Sequence, residues 1–256
     1  MNIDIVCPSG LRGEVRGLRV AEANELASAV GKKRLGITAK ILSGCWVKTH
    51  DPGPYKLDDS GIQWDNVLQG DCDYALIQTR VATFGPEYAF AMTCAEGSCR
   101  SKFEWELSLA DLEVKRFTDE ERETFIAGNS YTTALPGTSR KVTFSLPIHK
   151  DQRRAATMRS THRDELITLA LRMRVKSIEG IEPHLLQHTL TDMGLSDAID
   201  LVEAMDERDC GVDTDIEVEC PECFLTQEVR LPLGKEFWFQ GAKTRRRLRE
   251  GNTKGA

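Results

Sequence analysis

The clearest chemistry in this chain belongs to cysteine, at Cys220-Pro-Glu-Cys223. Two thiols flanking a two-residue turn can point at one ion, while backbone amides near the turn donate to the sulfurs. That is half of a structural zinc site, which takes four ligands in a tetrahedron, so a second pair is required elsewhere. Cys94 and Cys99 supply it, with four residues between them and Gly97 available for the bend. The alternative is that all four are buried thiols in ordinary hairpins, since free cysteine packs well in cores.

The elements that would hold these thiols are legible as β-arms. Residues Asp215 to Leu233 read as strand, knuckle, strand. Counting from the second cysteine of each pair, Trp105, Leu107 and Leu109 share offsets with Val229, Leu231 and Leu233, so both arms alternate apolar and polar residues in phase. Two similar arms would thus meet at one zinc, with a long insertion between them.

Other chemistry is sparse. The chain has no phosphate-binding glycine loop, nucleophile elbow or His-Glu-x-x-His helix. His184 and His188 have i, i+4 spacing, yet no third ligand stands near and a wet helix face accounts for them. Asp58-Asp59 and Asp213-Thr-Asp215 flank loops, where carboxylates keep a chain soluble. A zinc held by four cysteines leaves no open position for water or substrate, so the expectation is architecture and not catalysis.

The 256 residues suit one large domain or two small ones, and 40% hydrophobic with 29% charged residues is ordinary for a globular protein. No apolar run approaches the roughly 20 residues of a membrane span, and the start lacks signal-peptide features, so a cytoplasmic site or an assembly built there is expected. Eight cysteines in a reducing compartment point to metal or free thiols, with Cys7, Cys45, Cys72 and Cys210 assigned mostly to the core. The net charge of −6 divides into +5 for residues 241–256 and −11 for the rest, because Lys243, Arg245, Arg246, Arg247, Arg249 and Lys254 face only Glu250. Such a tail can grip nucleic acid or an acidic protein, or can simply be solvated. The knuckles themselves carry Glu96, Glu104, Glu106, Glu219 and Glu222, which would repel phosphate.

Along the chain, residues 2–20 suggest a hairpin around Pro8-Ser-Gly10. Helices are expected over 21–30, over 35–47, and from an Asp cap within Gly70-Asp-Cys-Asp73 to Phe84, the last burying Tyr74, Ile77, Val81 and Phe84. Residues 49–61 read as loop. Thr118-Asp-Glu-Glu121 is a capping box opening a short helix that ends at Gly128-Asn129, and Arg140 to Ile148 alternates as a strand. Thr161-His-Arg-Asp164 resembles a second box, ahead of a helix with Leu166, Leu169, Ala170 and Met173 on one side. Pro183 can start another helix, and Ser196 can cap one carrying Ile199, Val202 and Met205.

Several of these pieces together resemble the baseplate hub and tail-assembly proteins of T-even-type contractile-tailed bacteriophages. The resemblance rests on Pro8-Ser-Gly10 with Glu14-Val-Arg16-Gly-Leu18 and Glu22, and on Leu68-Gln-Gly-Asp71 with Leu76, Arg80 and Gly85. Cys94 and Cys99 ahead of Leu107 to Leu109, Arg140-Lys-Val-Thr-Phe144 with Leu146-Pro147, and Cys220-Pro-Glu-Cys223 leading to Phe237-Trp-Phe239 complete it. The departure is the wide spacing of Cys94 and Cys99. The resemblance implies a non-enzymatic protein that helps build, or sits within, the central hub of the tail baseplate, in the virion tail and, during assembly, in the host cytoplasm. Its partners would be other hub and tail tube proteins, in multiple copies of a symmetric assembly, with no small-molecule substrate.

The reading is therefore an α+β protein with split zinc-ribbon-like β-arms, N-terminal helices and an α-helical insertion. Residues 1–115 hold the helices and first arm, 116–213 a mainly helical insertion with one strand, 214–240 the second arm, and 241–256 a basic tail. Structural zinc sits on Cys94, Cys99, Cys220 and Cys223. Phe237, Trp238, Phe239, Arg245, Arg246, Arg247 and Arg249 are expected to contact partners, the alternative for Phe237 and Phe239 being closure of the core. The competing function is a zinc-ribbon nucleic-acid-binding or regulatory module.

Overall fold

The computed structural model describes residues 2–29, 36–151, 154, 166–233 and 235–239. Strand β1 (Asn2–Val6) turns through Pro8-Ser-Gly10 into β2 (Arg12–Arg16), and β3 (Trp46–Asp51) pairs antiparallel on the far side of β2. A Cβ at Gly13 would come within 2.3 Å of the Lys48 carbonyl and the Trp46 ring, so only glycine lets β3 approach there. Helix α1 (Val20–Ala29) and helix α2 (Ile37–Cys45) lie between β2 and β3 in the chain. The expected helix over 35–47 stops at Cys45, because Trp46, Val47 and Thr49 are better placed on a pleated sheet than on a helix. For the same reason Thr49 to Asp51 are strand and not loop.

Helix α3 (Gln69–Phe84) is the spine of the molecule. Leu68, at its N-cap, enters a core built mainly from residues 117–210, Cys72 and Ala75 enter the N-terminal core, and Ile77 enters a third core beneath the cysteine arms. A helix used on several sides has no single apolar stripe, so Tyr74, Val81 and Phe84 are only half-buried while Asp71, Thr79 and Arg80 are buried. The expected Asp cap is absent, since Leu68 occupies that position without a side-chain bond. Asp71 instead points inward, accepting from the Ser9 amide at 2.9 Å, from the Ser9 hydroxyl, and from the Tyr55 hydroxyl at 2.6 Å. Burial nonetheless holds its pKa above the usual carboxylate range.

Strands β4 (Glu87–Thr93) and β5 (Lys102–Ser108) form the first hairpin arm. After β6 (Val114–Lys115), helix α4 (Asp119–Gly128) opens on the expected capping box, with Glu121 N donating to Thr118 Oγ1 and the Glu121 carboxylate accepting from Thr118 N. It closes on Asn129 at φ 48°.

Residues 116–213 correct the expectation of one strand among helices. They contain a three-stranded antiparallel sheet of β7 (Tyr131–Ala134), β8 (Lys141–Phe144) and β9 (Val175–Ile178); α5 (Leu166–Arg174) leads into β9, and α6 (Leu186–Thr191) and α7 (Leu195–Arg208) follow it. Strand β8 ends before Leu146, as Pro147 cannot continue a ladder. Helix α7 starts after Gly194 with no side-chain cap from Ser196, and buries Ala198, Leu201 and Met205 while Ile199 stays outside. Helix α6 begins at Leu186, three residues after Pro183. Thr161 to Asp164 lie outside the described residues. Strand β10 (Gly211–Val212) returns to pair with β6, and Gly70 of α3 packs so closely on it that a Cβ would fall 1.9 Å from the Cys210 carbonyl oxygen.

The second arm is β11 (Asp215–Glu219) and β12 (Thr226–Arg230), followed by the short helix α8 (Lys235–Trp238). Helices and antiparallel strand pairs occupy separate stretches of chain, which makes the fold α+β.

Candidate metal centre

Each arm ends in a turn that folds its second cysteine back over its first. In the first arm Cys94 N donates to Ser101 O at 2.9 Å, and Cys99 N and Arg100 N both donate to Glu96 O. In the second, Cys220 N donates to Leu225 O at 3.0 Å and Phe224 N to Cys220 O at 2.9 Å. The residue after the second cysteine is left-handed in both, Arg100 at φ 46° and Phe224 at φ 60°. The two extra residues of the wider spacing are absorbed between Cys94 and Glu96, leaving the turn geometry alike.

The tips then meet. Cys94 Sγ lies 3.6 Å from Cys223 Sγ and Cys99 Sγ 3.9 Å from Cys220 Sγ, with all four sulfurs within 4.8 Å of one another. An ion bonded to four thiolates at about 2.3 Å sets sulfur-to-sulfur edges of about 3.8 Å, which these separations match, whereas a disulfide needs about 2.05 Å. The donor set is therefore one that could hold a metal ion. Around it, Glu96 N points at Cys94 Sγ (3.4 Å), the Ser101 hydroxyl lies 3.3 Å from Cys220 Sγ, and Ala95 N donates to Gln227 Oε1 (2.8 Å), tying one arm to the other.

These contacts divide the thiols. The Ser101 hydroxyl, with the amides of Cys223 and Glu222, lowers the Cys220 pKa to about 6. At Cys94 the Glu96 amide favours the thiolate, but burial and the neighbouring sulfurs of Cys223, Cys220 and Cys99 outweigh it and push the thiol up to about 12. Without a cation, four sulfurs this close cannot all ionise; a metal replaces the protons they share.

The bases of the arms share the third core. Trp105, Leu107, Leu109, Val229, Leu231 and Leu233, the six residues in phase in the sequence, all pack there with Tyr88, Phe90 and Phe237. Tyr88 donates its hydroxyl to Pro232 O at 2.9 Å. Arg80 of α3 is fully buried among them, donating to the carbonyls of Gly85, Glu87 and Phe237, with the rings of Phe84, Tyr88 and Phe237 5.0–5.6 Å from its guanidinium carbon. Burial lowers its pKa to about 10, still charged at neutral pH.

Phe237 and Trp238 need correcting as partner contacts. They are 1% and 8% exposed, because α8 folds them onto Tyr88 and Arg80 to close this core, and only Phe239, at 37%, faces outward. Arg245, Arg246, Arg247 and Arg249 lie outside the described residues. His184 precedes α6, so it does not form a helical pair with His188, which instead meets Asp192 at 2.8 Å. Asp58 holds Ser60 and Gln63, and Asp213 accepts from Asp215 N, so both acidic clusters shape turns. Asp4, Glu14 and His50 make a further group on the outer face of the N-terminal sheet, the ring nitrogen 3.1 Å from Asp4 and 3.3 Å from Glu14. Its members come from three strands, which is why no sequence spacing announced it.

A family model described as T4 bacteriophage base plate protein matches residues 57–237, from just ahead of α3 to Phe237. The chain belongs to that base plate family. Membership makes it a structural component of a T4-type phage tail, which assembles with other tail proteins. The matched span takes in α3, both cysteine arms and the sheet between them, so the four-sulfur cluster and Arg80 lie inside the base plate family region. Among the described residues no helix is long and apolar enough to cross a membrane. Neither a curated protein nor a solved structure matches the chain.

Proposed function

We propose that the chain is a zinc-stabilised scaffold of the base plate hub, working through protein contacts. The observation that carries this is the convergence of the Cys94, Cys99, Cys220 and Cys223 sulfurs; one ion shared by them would close a ring through residues 94–223. Zinc suits four thiolates in a closed tetrahedron, and by analogy with zinc fingers it would contribute on the order of 10 kcal/mol to folding. With every position taken by sulfur, the ion fixes the arms and does no chemistry on a substrate.

In this reading residues 1–115 and 214–240 form the zinc-pinned platform, and 116–213, with its own core, presents a separate surface to neighbouring hub and tail tube proteins. The basic segment with Arg245, Arg246, Arg247 and Arg249 would meet an acidic partner in a multi-copy, symmetric assembly. Glu96, Glu219 and Glu222 around the sulfurs weigh against the nucleic-acid module. Metal analysis of purified protein together with sedimentation of tails from phage-producing cells tests the proposal. One zinc per chain and co-sedimentation with tails are expected; a metal-free folded chain, or one never found with tails, overturns the corresponding half.

A further inference from the structure

The tip of the second arm carries a feature that neither the metal nor the core explains. Phe224 is 72% exposed and Leu225 37%, side by side at the end of a hairpin fixed from below by the sulfurs. Phe224 also sits at φ 60°, where any side chain with a Cβ is strained and glycine is not. The turn demands the left-handed conformation, but nothing in the fold demands a phenyl group there.

Behind the tip the arm is acidic. Residues 215–230 hold Asp215, Glu217, Glu219, Glu222 and Glu228 against Arg230 alone. Glu217 and Glu228 are direct cross-strand partners, both exposed, an arrangement of like charges that weakens an isolated hairpin. An aromatic tip on an acidic stalk is complementary to an apolar pocket with a basic rim, and the same charges repel nucleic acid.

Resting on the base plate reading, we propose that Phe224 and Leu225 form a docking plug for a separate tail protein. Its surface would offer an apolar pocket rimmed by lysine or arginine, facing Glu217, Glu219, Glu222 and Glu228. The strained, exposed aromatic and the like-charged pair are both relieved or compensated in such a complex and in no contact made within the described residues.

The test uses the full chain in phage-producing cells, as wild type, as Phe224→Gly, and with a photo-reactive benzophenone side chain at position 224. Phe224→Gly is expected to keep the wild-type metal content and to melt no lower, while entering tail particles roughly tenfold less or worse. The benzophenone is expected to attach to another tail protein, at a peptide with apolar residues flanked by lysine or arginine. Normal incorporation of Phe224→Gly overturns the plug. So does loss of its metal, or a cross-link to a second copy of this chain, to nucleic acid, or to a peptide without basic residues. Absence of the wild-type chain from tails would overturn the base plate reading itself, a result separable from failure of the variant alone.

Discussion

Arg80 Nε donates to the carbonyl oxygen of Phe237 at 3.2 Å across 157 residues of sequence, and its guanidinium carbon lies 5.5 Å from the centre of the same residue's ring. One buried cation thus holds the end of the described chain onto α3, while its other nitrogens satisfy Gly85 and Glu87 at the start of the first arm. The platform under the cysteines depends on that fork.

Replacing Arg80 with Lys is accordingly expected to destabilise by about 3 kcal/mol, since one ammonium cannot reach three carbonyls and forfeits the ring contacts. Chemical denaturation would measure it, and early exposure of Trp238 to a fluorescence quencher would locate the damage in the third core. A change within a few tenths of a kcal/mol would mean the fork is ornamental.

At the sulfurs, Cys220→Ser is expected to abolish stoichiometric zinc binding and to loosen both arms together. Cobalt substitution gives the readout: the intense absorption of a four-thiolate cobalt centre should appear in the wild type and vanish in the variant. Ser101→Ala, which removes the hydroxyl beside Cys220, should retain the spectrum but bind more weakly, by about tenfold to a hundredfold.

Asp71→Ala would leave the Ser9 amide and the hydroxyls of Ser9 and Tyr55 buried without their acceptor. A loss of about 3 kcal/mol is expected, larger than for Tyr55→Phe, which removes one donor to Asp71 and the weaker acceptor of Leu68 N at 3.3 Å and should cost about 1–2 kcal/mol. Equal effects of the two substitutions would show that the carboxylate is not the centre of that network.

Asp73, half-buried beside Gln69, has its pKa pushed up by burial to about 6 from an ordinary value near 3.8. Below the unfolded value both states carry the proton. Between the two values only the folded state does, so this contribution to stability falls as pH rises and is lost above about 6. Asp73→Asn should match the wild type near pH 4 and exceed it by about 1–2 kcal/mol above pH 6.5, allowing for solvent screening. Unfolding midpoints across that range check both sign and position.

Much of the site was legible because its determinants are local or periodic. Cysteine spacing, the phase of the two apolar ladders and the Thr118–Glu121 box each involve residues close in sequence. What escaped depends on distant parts of the chain. Asp71 has the type and position of a helix cap, and only the three donors arriving from Ser9 and Tyr55 turn it inward. Arg80 looks like a solvated charge until the aromatic rings of residues 84, 88 and 237 close over it. Strands β7 and β9 are four residues each, too short for alternation to stand out beside stronger helical patterns. Phe237-Trp-Phe239 is an apolar run whose inner and outer members differ only by the turn of α8.

The order in which the cysteines leave the ribosome has a consequence of its own. A nascent chain that has emerged through Cys99 carries half of the four-sulfur set, and Cys220 follows 121 residues later, with Cys223 just behind it. A metal ion shared by all four sulfurs could therefore be captured only after the second pair has emerged. A truncated product lacking the second pair would never be locked, and the cell's proteases would meet it open.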